Sequence, residues 1–266
     1  MPMSTDAPWD SGPSRAAFFD LDKTLIPGSS LFLLARGLHA SDNIKFRLID
    51  IMRFGWGQAA FRLRGESDKD LGRSQRSGLN LVSGRRQDEL RTWCVDIARE
   101  WIVPRVYEGM VEVIEEHKSK GDATFLVTAA PTELAETLAD ELGMSGAIGT
   151  AAEVDDEGVY TGNLPGPVLH GEDKAAAVAK RADELGLSLA ESSAYTDSVN
   201  DLPMLELVGH PHAVNPARQL KRLADERGWP IKEMRTSRKG LVISIGTGAA
   251  ALAGATALAM RQRHRR

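Results

Sequence analysis

The run Ala16-Ala17-Phe18-Phe19, closing in Asp20-Leu21-Asp22-Lys23-Thr24, constrains this chain more than any other stretch. Four successive apolar residues without polar alternation suit a strand covered on both faces, the situation of a parallel sheet packed between helices. Read as a strand that ends in the two acidic residues, the segment turns Asp20 and Asp22 to one side, because alternate strand residues share a face. Ligands of such sheets bind beyond the strands' carboxyl ends. Two carboxylates held together there repel unless a cation or a shared proton relieves them, which points to a divalent metal with one acid left to move protons.

The rest of the chain supports a globular α/β protein. With 266 residues, 42% of them hydrophobic, it can fill one large domain with an insertion. A formal net charge of −4 makes no case for a nucleic-acid partner. The single cysteine, Cys94, excludes an internal disulfide and is expected to be an inert buried residue. Residues 1–14 carry acids and early prolines without an apolar stretch, and are expected to be a disordered leader rather than a signal peptide.

After Pro27-Gly28, helical periodicity takes over. Leu31, Leu34, Ala35 and Leu38 fit one helix face; Ile44, Leu48, Ile51 and Met52 a second; Leu90, Trp93, Cys94, Ile97 and Trp101 a third. A further helix carries Met110, Val113, Ile114 and His117, and Ala123 to Val127 reads as a second buried strand. From there strands and helices alternate, the mark of a doubly wound sheet. Pro131-Thr132 opens a helix, Val154 to Tyr160 reads as a hairpin, and Asp173 to Leu185 as a helix. Ser193 to Thr196 and His212 to Val214 read as strands, and Pro216 as the first turn of a basic helix.

Three later features answer the aspartate pair. Thr128-Ala129-Ala130 puts a hydroxyl between a buried strand and a helix N-terminus, where backbone N–H groups favour an anion. Lys174 stands in the first turn of its helix, an unfavourable place for a cation unless it serves a site. Asp197 and Asp201, four apart between a strand and the following helix, can turn towards one point.

The ordered set Asp20-x-Asp22-x-Thr24, Thr128, Lys174, Asp197-Ser198-Val199-Asn200-Asp201 resembles the haloacid dehalogenase (HAD) superfamily, in its phosphoserine-phosphatase-like branch, the subfamily IB hydrolases. The resemblance implies an α/β fold with a Rossmann-like doubly wound parallel sheet and a helical C1 cap inserted after the first strand. On this division 15–29 and 105–234 are the catalytic core, 30–104 the cap and 235–266 a C-terminal helix. It implies a phosphatase in which Asp20 is the nucleophile and Asp22 the general acid and base. Thr128, Ala129, Lys174 and Asn200 would bind the phosphate; Asp20, Asp22 and Asp197 would bind Mg²⁺; Asp201 would support Lys174. The substrate class would be a small-molecule or lipid phosphate monoester. Phosphotransferases and phosphomutases share this intermediate, and a membrane-anchored regulatory protein without catalysis is the alternative from another class.

Two positions depart from the family pattern. Phosphoserine phosphatases of this branch carry, at the place of Ser29, a glutamate that reads the substrate's amino group, so phosphoserine is not the expected substrate. Ala130 stands where the second motif usually has another hydroxyl. The uncharged run Leu241 to Met260, flanked by Arg235, Arg238, Lys239 and by Arg261, Arg263, Arg265, Arg266, has the length that crosses a bilayer. It is expected to anchor a cytoplasmic catalytic domain to a membrane. Arginines alternating with Phe46, Phe54, Trp56 and Phe61 in the cap suit contact with an anionic surface.

Overall fold

The structure is a computed structural model that describes residues 14–40 and 83–234. Most of the leader, the helix of Ile44 to Met52, the cationic aromatic stretch around Trp56 and the terminal run Leu241 to Met260 lie outside the described residues. Met1–Met234 form one compact unit and Arg235–Arg266 another. Among the described residues no helix is long and apolar enough to cross a membrane.

Six strands build one parallel sheet: β1 (Ala16–Asp20), β2 (Ala123–Pro131), β3 (Gly146–Thr150), β4 (Ser193–Thr196), β5 (His210–Val214) and β6 (Ile231–Lys232), in the order β3-β2-β1-β4-β5-β6. The opening run becomes a central strand because its residues divide between two cores. Ala17 and Phe19 join one apolar cluster, Ala16 and Phe18 the other, and all four are at most 1% exposed. Each fully buried phenylalanine contributes about 1.5–3 kcal/mol relative to exposure.

The first cluster is covered by α1 (Ser30–Ala40), α2 (Gln87–Ile97), α3 (Glu108–Ser119) and α4 (Thr132–Glu141), through residues such as Leu34, Cys94, Ile114 and Leu138. The second is covered by α5 (Glu172–Glu184), α6 (Leu202–Leu207) and α7 (Arg218–Arg227), through Val178, Met204 and Leu220. Helices on both faces make this the α/β doubly wound architecture. The described part of segment 30–104 shares the first cluster with β1. Its α2 lies along α4 through Gln87 Nε2 on Glu133 Oε1 at 2.9 Å and the pair Arg91–Glu136 at 3.1 Å. Past Ile97 the helix widens into a π turn, Ala98–Ile102, whose pair Arg99–Glu141 continues the same seam.

Several local expectations change. β1 ends at Asp20 instead of carrying Asp22 as well, because Lys23 turns left-handed (φ 68°) and the Leu25 and Ile26 amides fold back onto the Leu21 carbonyl. Pro216 precedes α7 instead of sitting in its first turn. The strands β3 and β6 carry no apolar pattern that announces them. Gly149 in β3 has no room for a Cβ, which would come within 2.7 Å of Thr132 Cα, so a residue with poor strand propensity is required where α4 crosses.

Across the sheet, register pairs Phe19 with Tyr195 and Tyr195 with His212. The three rings stack at 4.7 and 4.5 Å, and His117 of α3 closes on them edge-on while its Nε2 meets the Tyr195 hydroxyl at 2.8 Å.

Candidate active site

The carboxyl ends of β1, β2 and β4 converge because the strands are parallel and adjacent: Asp20 pairs with Val127, and Phe19 with Tyr195. Each strand therefore delivers its next polar residue to one edge: Asp20, Thr128 and Asp197. Their burial is 8%, 3% and 8% exposure, far below what such groups keep without partners or ligands.

Asp20 is held on both oxygens. Thr24 Oγ1 donates to Oδ2 at 2.9 Å, a contact the left-handed turn at Lys23 makes possible, and Lys174 Nζ meets Oδ1 at 2.6 Å. Lys174 is itself buried and reaches Asp201 Oδ2 at 2.9 Å, while Thr196 Oγ1 donates to that same oxygen at 2.7 Å. The ammonium at the start of α5 is thus matched by two carboxylates, which outweighs the adverse helix dipole. Burial by itself would lower the Lys174 pKa; the charges of Asp20 and Asp201 reverse this and raise it above the ordinary lysine value. Asp20 is pushed upward, first by burial and then by the carboxylates of Asp201 and Asp197, with Lys174 pulling it back.

Asp22 lies in the turn beyond β1, where its Oδ1 accepts the Ser30 N–H at 2.7 Å. The α1 N-terminus thereby fixes this second carboxylate. Thr128 Oγ1 accepts the Ala130 N–H at 3.1 Å, shaping the β2–α4 link, with Ala129 half-buried beside it. Asn200 is exposed at the rim, its side-chain amide 3.5 Å from His170 Nε2. The Asp197 carbonyl accepts the Ala217 N–H, tying the β4 loop to the segment after β5.

Asp20, Thr24, Lys174, Thr196 and Asp201 form one hydrogen-bonded network; Asp22 and Asn200 are linked to other partners. Two residues escape sequence reasoning. Tyr107, at the start of α3, is raised in pKa by burial and then by the Asp197 charge, and His170 lies against Asn200. Neither sits in a motif; only the folded chain brings them to the strand ends.

Among the described residues no three carboxylate, imidazole or thiolate side chains converge closely enough to enclose a metal ion. The charge balance nevertheless fits a cation. Asp20 is buried close enough to Asp201 and Asp197 for both to raise its pKa, and negative charge gathered in so buried a place is costly without a cation. Carboxylate and carbonyl oxygens are the hard donors Mg²⁺ prefers, and Mg²⁺ usually keeps several waters in place of protein ligands.

The family model for haloacid dehalogenase-like hydrolases matches residues 17–206, which takes in this entire constellation. The chain belongs to that family. This HAD-like hydrolase is 42% identical over 247 residues to a protein named phosphoserine phosphatase SerB1 of Mycobacterium tuberculosis, covering 92% of this chain and 79% of the relative. A solved structure of a Bordetella pertussis protein of unknown function is 32% identical, with a TM-score of 0.72 over 83% of this chain and 98% of its own. The structure of a phospho-aspartyl intermediate analogue of phosphoserine phosphatase is 22% identical and covers 87% of this chain and 99% of its own; with a TM-score of 0.56, it shares the fold.

Proposed function

We propose that this HAD-like hydrolase is a Mg²⁺-dependent phosphomonoester hydrolase that works through an aspartyl-phosphate on Asp20. The observation that carries the reading is the buried Asp20 carboxylate at the end of the central strand, oriented by Thr24 and Lys174, on the strand adjacent to the one that carries Thr128. The phosphatase names of several relatives support it.

In the first step an Asp20 oxygen attacks phosphorus, and the bond to the alcohol oxygen breaks as Asp22 gives that oxygen a proton. In the second step Asp22, now a carboxylate, takes a proton from water. The water oxygen attacks phosphorus, and the Asp20 carboxylate leaves as inorganic phosphate forms. Lys174 neutralises the transferring phosphoryl oxygens, and Thr128, the Ala129 N–H and Asn200 hold them in place. Asp201 and Thr196 keep Lys174 charged and aimed. Asp20, Asp197 and the main-chain carbonyl of Asp22 would hold Mg²⁺, which supplies positive charge against the phosphoryl oxygens when bound.

The substrate is proposed to be other than phosphoserine, in spite of the name that the mycobacterial relative carries. At the place where an ammonium-reading carboxylate would stand, the Ser29 hydroxyl accepts the Phe32 N–H at 3.4 Å and serves as a helix cap. The uncharged, basic-flanked run Leu241 to Met260 supports a membrane location for the catalytic unit, with a lipid phosphate as one candidate substrate. Release of phosphate from p-nitrophenyl phosphate, with and without a chelator, tests the core reading. Turnover should need Mg²⁺, and undiminished turnover in excess chelator overturns it.

A further inference from the structure

Ser30 opens α1 at 1% exposure, and its Oγ has no hydrogen-bond partner. A buried hydroxyl left unpaired costs about 1–3 kcal/mol, and native folds rarely keep one without a use. The residue is not remote from chemistry. Its own N–H is the donor that holds Asp22 Oδ1 at 2.7 Å, so the hydroxyl sits on the residue in direct contact with the group proposed to protonate the leaving alcohol. The neighbouring Ser29 hydroxyl is already taken by the Phe32 N–H, and Thr24, the other hydroxyl of this turn, by Asp20.

We propose that the Ser30 hydroxyl reads an oxygen substituent on the alcohol portion of the substrate, next to the ester carbon, and that the substrates are phosphate monoesters of polyhydroxy alcohols. The proposal rests on the phosphomonoesterase reading above. For Asp22 to protonate the leaving oxygen, that oxygen must come within hydrogen-bond reach of its carboxyl. The atoms of the alcohol just beyond that oxygen then face the start of α1, where Ser30 is buried. A serine hydroxyl both donates and accepts, which matches a neutral hydroxyl of the substrate.

The experiment compares full-length wild type and Ser30→Ala on sn-glycerol 3-phosphate and on n-propyl phosphate, which has the same carbon skeleton without hydroxyls, with melting temperature measured alongside. The wild type should prefer glycerol 3-phosphate in kcat/KM by about tenfold, the size of one well-made buried hydrogen bond. Ser30→Ala should bring that ratio close to one without lowering the melting temperature, since the alanine removes an unpaired polar group. A wild type without preference, a ratio unchanged in the variant, or equal losses on both esters together with a lowered melting temperature overturns the assignment of Ser30. A wild type that hydrolyses neither these esters nor p-nitrophenyl phosphate overturns the phosphomonoesterase reading itself, and the role of Ser30 with it.

Discussion

At the scale of single residues the site is a problem in charge balance. Asp20 and Asp201 are buried against Lys174, and Asp201 and Asp197 both raise the pKa of Asp20, so removing the Asp20 charge and removing the Lys174 charge have opposite effects on the fold. Asp20→Asn keeps the shape, relieves repulsion and cannot attack phosphorus. We expect no detectable turnover and a melting temperature at or above that of the wild type; substantial residual activity in the purified variant contradicts the covalent step. Lys174→Met leaves two buried carboxylates facing each other, a loss of about 3–5 kcal/mol for breaking a buried pair. Denaturant unfolding should show this loss, and added Mg²⁺ should recover part of it by binding the folded state. Asp22→Asn should slow hydrolysis of alkyl phosphates much more than that of p-nitrophenyl phosphate, whose leaving group needs little protonation. Equal losses on both substrates count against its acid role.

At the scale of elements, the stacked column through β1, β4 and β5 predicts a pH dependence of stability. Burial, then the charges of Lys232, His117 and His210, push the His212 imidazole down to about 4 from an ordinary value near 6.5. The folded state therefore refuses a proton that the unfolded chain accepts between these values, so this contribution is complete above about pH 6.5 and is lost as pH falls towards 4. His212→Phe keeps a ring in the stack and removes the titration. Its denaturation midpoint should fall less between pH 7 and 5 than that of the wild type, and parallel slopes would refute the assignment. The elements also differ in how plainly the sequence announces them. β1 and β2 are legible because burial on both faces leaves a mostly apolar run, β4 is read only from the short stretch Ser193 to Thr196, and the residues Asp20, Thr128 and Asp197 follow once those three strands are read. The turn that swings Asp22 out of β1 is not legible, since Lys23 gives no sign of a left-handed backbone. β3 is hidden by Gly149, which a close helix crossing demands, and β6 by having only two residues. The link of Asp201 to Lys174 could be guessed from spacing, but Tyr107 and His170 arrive through tertiary packing alone.

At the scale of the whole molecule, Met1–Met234 is compact by itself, and its end is pinned where the Met234 N–H meets Asn215 Oδ1 at 2.7 Å. A chain ending at Met234 should melt with the full-length protein and hydrolyse p-nitrophenyl phosphate equally well, while losing any flotation with anionic vesicles that the full chain shows. Full-length protein that does not float contradicts the membrane location. The position of β1 in the middle of the sheet carries a different consequence, for synthesis. Its residues pair with Ala123 and beyond on one side and with Ser193 and beyond on the other, and the Ala16 N–H is bonded to Ser192 Oγ. The earliest of the six described strands is thus enclosed only after β4 has been made. At roughly 5–20 residues per second, Ala16 to Phe19 wait on the order of ten to thirty seconds for β4 to be made. During that interval one edge of an apolar strand is open to wrong partners, a cost in synthesis of the same topology that gathers the site carboxylates.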